Sequence, residues 1–117
     1  MKSYKELREY GIFINNRKVD SYGIFVGRPT VLGNPFKIEK DGSREEVIEK
    51  YRTWFSMSLK RNEKVRNEFL RICGLWILKG KIALSCFCFP EACHAQVIAS
   101  AMVWYRHLTL GSQKLPF

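Results

Sequence analysis

The chain lacks any apolar run approaching the ~18–20 residues of a membrane span, which argues against a membrane role. Its first residues, MKSYKELREYG, are charged and hold no apolar signal region. Internal repeats, low-complexity tracts and linker-like stretches are also missing. So are helix-turn-helix, zinc-finger and RNA-binding signatures. No run of five or six basic residues occurs. Acidic residues are few, 11 against 20 Lys and Arg, and there are only two histidines. These absences leave a single domain over 1–117, expected in the cytoplasm, whose four cysteines read as thiols or ligands and not as a disulfide framework.

What is present suffices for a packed core. The 117 residues are 46% hydrophobic and 14% aromatic, which fits one ordinary domain. The net charge of +9 favours an anionic partner such as a nucleotide, a nucleic acid or a phosphate-bearing metabolite. A solvated basic surface would have the same composition, so charge alone does not choose.

Capping-box spacing at Ser3–Glu6 predicts a short helix to Tyr10, stopped by Gly11. Ile12–Ile14 and Tyr22–Gly27 read as strands. The stretch RPTVLGNPF, with two prolines and a glycine, reads as an irregular loop. A second capping box, Ser43–Glu46, opens an amphipathic helix carrying Val47, Ile48, Tyr51, Trp54, Phe55 and Leu59. A further helix over Glu63–Leu78 is expected to bury Val65, Phe69, Ile72, Trp76 and Ile77. IALSCF follows as a strand, and EACHAQVIASAMVWYRH as a third long helix. Cys73 is assigned to the core and His107 to solvent. The order strand, helix, helix, strand, helix predicts a small α/β layered fold, its short, partly parallel sheet flanked by about three helices.

Two segments stand out. CFCFPEACH places Cys86 and Cys88 two apart at a strand's carboxyl end, on one face, and Cys93 and His94 at a helix start. Three readings are open: a zinc site using Cys86, Cys88, Cys93 and His94, a nucleophilic thiol with Cys93 or His94 as the reactive group, or buried packing. GRPTVLGNPF leaves another strand of the same sheet. There Arg28 suits a phosphate or carboxylate, and Asn34 can orient a polar edge. The alternative is a rigid turn. Both segments are expected at one sheet rim, where α/β folds bind ligands.

YGIFVGRPTVLGNPF, GSREEVIEKYRTWF and LKGKIALSCFCFPEACHAQVI together resemble, in order and spacing, the domain-of-unknown-function family 4326 of bacteria and their phages. The match covers about Val19 to Tyr105, leaving 1–18 and 106–117 as peripheral extensions. Carried over by motif, the resemblance marks Arg28, Gly33, Asn34, Pro35, Phe36, Cys86, Cys88, Pro90, Cys93 and His94. Phe87 departs from the family, which usually has tryptophan there. The resemblance implies a compact domain in a bacterial cell or phage-infected host and supplies no activity.

The leading expectation is a nucleotide-like or other phosphate-bearing small ligand, sequestered or processed in a pocket between the two segments. Arg28, Gly33, Asn34, Pro35, Phe36 and His94 would bind it. The alternative is a nucleic-acid-binding accessory domain using Lys60, Arg61, Lys64, Arg66 and Arg71, with the Cys/His cluster structural. Whether the protein is an enzyme, holds zinc or forms a homo-oligomer stays open at this point.

Overall fold

The computed structural model describes residues 1–110. Its elements are α1 (Tyr4–Glu9), β1 (Ile12–Asn16), β2 (Ile24–Phe25), α2 (Arg44–Arg61), α3 (Glu63–Lys79), β3 (Ile82–Cys86) and α4 (His94–Leu110). The fold is α/β, with four helices around a three-stranded sheet in the order β1-β3-β2. Both pairings with the central β3 are parallel. Parallel neighbours put the carboxyl ends of all three strands on one rim, so the loops after β2 and β3 must leave the sheet side by side.

Local chemistry sets the helix limits. Ser3 and Ser43 each accept from the backbone of the glutamate three residues on, and each glutamate returns a bond to the serine N–H. These reciprocal bonds satisfy N–H groups that a helix start leaves unpaired. The Asn62 side chain caps α3, which ends at Gly80 in a left-handed conformation. α2 buries Val47, Ile48, Tyr51, Phe55 and Leu59, and α3 buries Val65, Phe69, Ile72, Cys73 and Trp76. Ile77 is 50% exposed, contrary to the expected stripe. It lies one residue, about 100°, beyond Trp76, and Cys73 fills the inner face instead. β2 is shorter than expected. Gly23, at φ +103° and with no room for a Cβ beside Ala83, precedes the strand, and the turn Thr30 N–H to Gly27 C=O follows it.

Residues 1–18 are not a peripheral extension. Leu7 and Ile12 are fully buried, and β1 pairs with β3 along its whole length. The Trp76 indole donates to the Tyr10 carbonyl at 2.9 Å, and Ile82 N–H donates to Gly11 C=O. An amphipathic helix and an edge strand thus close one side of the core. Of the other expected extension, residues 106–110 complete α4 and 111–117 lie outside the described residues. Among the described residues no helix is long and apolar enough to cross a membrane.

Candidate functional site

The loop after β2 folds onto itself. Thr30 donates to the Gly27 carbonyl through both N–H and hydroxyl, and Gly33 N–H donates to Thr30 C=O. A Cβ on Gly33 would lie 2.9 Å from the Arg28 backbone, so this approach requires glycine. Tyr51 on α2 fastens the loop by donating its hydroxyl to Leu32 C=O at 2.7 Å. Arg28 turns back and donates Nη1 to the carbonyls of Asn34 (3.1 Å) and Phe36 (3.4 Å). One edge of its guanidinium is thereby held by the backbone, which orients the remaining donors.

The second loop follows β3. Glu91 N–H donates to Cys88 C=O at 2.8 Å, closing the turn that returns the chain to α4. Cys93 stands just before α4 and behaves as a capping residue. Its Sγ accepts from Ala95 N–H at 3.4 Å, and its own N–H donates to Gln96 Oε1 at 3.0 Å. This is the reciprocal logic of a capping box with sulfur in place of a hydroxyl. His94 is buried and its Nε2 lies 2.7 Å from Val26 C=O. A carbonyl only accepts, so Nε2 carries the proton and Nδ1, 3.5 Å from Cys93 Sγ, offers its lone pair. Burial holds the His94 pKa below its ordinary value, aided by Arg28 and opposed by the Val26 carbonyl. The Tyr51 ring packs edge-on against His94, 5.0 Å between centroids. One tyrosine thus braces both loops.

The cysteines divide sharply. Cys86 and Cys88, close to the Cys93 thiol, push its pKa far up, and burial adds to this. Cys86 falls to about 7, chiefly through Cys93, with backbone bonds from Cys88 and Phe89 adding to it against burial. Cys88 falls to about 6, again chiefly through Cys93, with Arg44 and then Arg28 adding to it against burial. Cys73, alone in the core, is pushed up to about 12 by burial. Cys86 and Cys88 are therefore the thiols pushed toward ionisation, and of the two Cys88 is the more accessible.

Between the loops lies a cleft of about 500 Å³. Its lining includes Arg28, Asn34 and Phe36 from the first loop, and Phe87, Cys88, Cys93 and His94 from the second. Lys37, Ile38, and Arg44, Val47 and Ile48 at the start of α2 complete it. Arg44 donates Nη1 to Ala92 C=O at 3.0 Å, so it too is anchored by backbone. The lining thus has three cations and no carboxylate.

The structure brings Arg28, Asn34, Phe36, Cys88, Cys93 and His94 to one cleft, while Gly33, Pro35 and Cys86 do not line it. Gly33 acts through loop closure. The Asn34 amide is already committed, its Oδ1 accepting from Phe36 N–H (2.9 Å) and its Nδ2 donating to Val47 C=O (3.4 Å). Asn34 therefore shapes the loop as well as lining the cleft. Among the described residues, no group of three or more His, Cys, Asp or Glu is arranged to hold a metal ion. Of the expected zinc set of Cys86, Cys88, Cys93 and His94, His94 bonds the Val26 carbonyl through Nε2 and Cys93 caps α4. Sequence reasoning missed Lys37, Ile38 and Arg44. Arg44 follows the Ser43 cap and stands in the GSREEVIEKYRTWF block, the sequence signal that could have marked it.

The family described as a domain of unknown function, DUF4326, matches residues 14–104, and the chain belongs to it. The match begins within β1, ahead of Val19 where the motifs alone had put it. No curated protein and no solved structure matches the chain.

Proposed function

For a DUF4326 chain with this cleft, we propose that the protein binds a nucleotide-like or other phosphate-bearing small ligand between its two loops, sequestering or processing it. The observation that carries this reading is the lining: Arg28, Lys37 and Arg44 with no carboxylate, and Phe36 and Phe87 as aromatic walls. Two arginines pre-oriented by backbone carbonyls suit a phosphate's planar pairs of oxygens. The exposed Phe87 ring offers a surface for a base. A cleft near 500 Å³ lies within the roughly 300–1,000 Å³ range of small-molecule sites. All four cysteines are free, which suits a reducing cytoplasm, that of a bacterial cell or phage-infected host.

The basic junction of α2 and α3 supports the nucleic-acid reading less. Arg66 donates to the Leu59 and Lys60 carbonyls, and Arg71 pairs with Glu68 at 2.6 Å. The deciding experiment is calorimetric titration with nucleoside mono-, di- and triphosphates, pyrophosphate and a short duplex. Saturable binding of a nucleotide or pyrophosphate at one site supports the proposal. Binding of the duplex alone, weakening steeply with salt, would transfer function to the helix junction.

A further inference from the structure

We propose that Cys88 is a peroxide-reactive thiol that Cys93 resolves as a disulfide. Four observations converge. Cys88 lines the open cleft and is partly exposed, whereas Cys86 and Cys93 are both 1% exposed. Arg44 and Arg28 line the same cleft as Cys88, and their positive charge favours a thiolate there and the negative charge leaving a peroxide. The Cys93 thiol adjoins the Cys88 sulfur, a second cysteine in place to resolve it. Finally, the Cys88–Glu91 turn returns the chain so that Cys88 and Cys93 line the same cleft. Cys73, in the middle of α3, has no such partner thiol near it.

The chemistry balances with a hydroperoxide as oxidant. The Cys88 thiolate sulfur attacks the terminal peroxide oxygen. A sulfur–oxygen bond forms, the oxygen–oxygen bond breaks, and the departing alkoxide takes a proton from water to leave an alcohol. Cys88 is then a sulfenic acid, oxidised by two electrons. The Cys93 sulfur next attacks the Cys88 sulfur. The disulfide forms, the sulfur–oxygen bond breaks, and the leaving hydroxide departs as water with the Cys93 proton. His94 Nδ1, 3.5 Å from Cys93 Sγ, is placed to accept that proton on its way out. The sulfurs must close to about 2.05 Å, a local adjustment within the turn.

The test uses the wild-type chain, purified without chelator and treated with one equivalent of hydrogen peroxide. Peptide mapping without reduction is expected to show a Cys88–Cys93 crosslink, with Cys73 still alkylatable after unfolding. Peroxide consumption at neutral pH should exceed that of free glutathione. In Cys93→Ser the reaction should stop at a Cys88 sulfenic acid, trapped by dimedone. A Cys86–Cys93 crosslink with Cys88 free, oxidation no faster than glutathione, or stoichiometric bound zinc would each overturn the proposal. If Cys93→Ser fails to fold, the wild-type crosslink map still decides.

Discussion

The cleft and helix α3 carry the same kinds of side chain in opposite circumstances. The cleft has Arg28, Arg44 and Cys88; α3 has Arg66, Arg71 and Cys73. In the cleft each arginine is anchored through one edge to a carbonyl and no carboxylate stands beside it. On α3, Arg66 bonds the carbonyls that end α2, and Arg71 is paired with Glu68 through two bonds. The Cys88 thiol is brought down to about 6 and the Cys73 thiol up to about 12. Residue type and net charge say nothing of this difference. What separates the regions is which donors are already spent.

The widest predicted gap is in thiol reactivity. At neutral pH those two values imply thiolate fractions differing by about 10⁵. Iodoacetamide should modify Cys88 in the folded protein and Cys73 only after unfolding, as read by mass mapping. Equal labelling of both would dissolve the comparison.

A smaller effect is expected where one side chain braces the whole site. Tyr51→Phe keeps the ring packing on Phe55 and His94 but strands the buried Leu32 carbonyl. The loss should be about 1–3 kcal/mol in denaturant unfolding, with weaker ligand binding as the loop loosens. On α3, Arg71→Gln removes only an exposed i,i+3 pair, for about 0.2–0.5 kcal/mol.

Acidity offers a third contrast. Cys88 has a folded value below the ordinary 9.0, so its contribution to stability is complete above 9.0 and is lost as pH falls through about 6. Cys93, pushed up, contributes stability below 9.0 that is lost as pH rises beyond it. His94, depressed by burial, adds stability above its ordinary 6.5 that is lost on acidification through its folded value. Thermal unfolding at constant ionic strength should therefore show stability falling from pH 9 toward pH 6 and below. Cys88→Ser should flatten the upper part of that fall, and a Cys73→Ser profile should keep it.

Much of this arrangement could be read from residue order. Capping boxes fixed the starts of α1 and α2 because the serine and glutamate that form them are local. The rim shared by the two loops followed from parallel strands, a property of element order. Other features depend on contacts across the chain. The N-terminal residues looked peripheral because nothing local shows that β1 pairs with β3 or that Leu7 is buried. Ile77 fitted an inner helical face by spacing, yet it is exposed, since 3.6-residue periodicity fixes a stripe only to within one residue. Arg44 and Lys37 joined the cleft through tertiary packing alone. The cysteine spacing showed that thiols converge. It did not show that Cys93 lowers Cys88, nor that Arg44 and Arg28, some 44 and 60 positions earlier in the chain, add to that effect, a separation that only folding removes.

The most direct test makes the same substitution in both regions. Arg28→Lys and Arg71→Lys each keep the charge and remove the planar fork. In calorimetric titration with the nucleotide or pyrophosphate that binds the wild type, Arg28→Lys should weaken affinity about 10- to 150-fold, the equivalent of ~1.5–3 kcal/mol, while Arg71→Lys stays within about twofold. Wild-type affinity in Arg28→Lys, or an equal loss in both variants, would contradict the assignment of the cleft as the anion site.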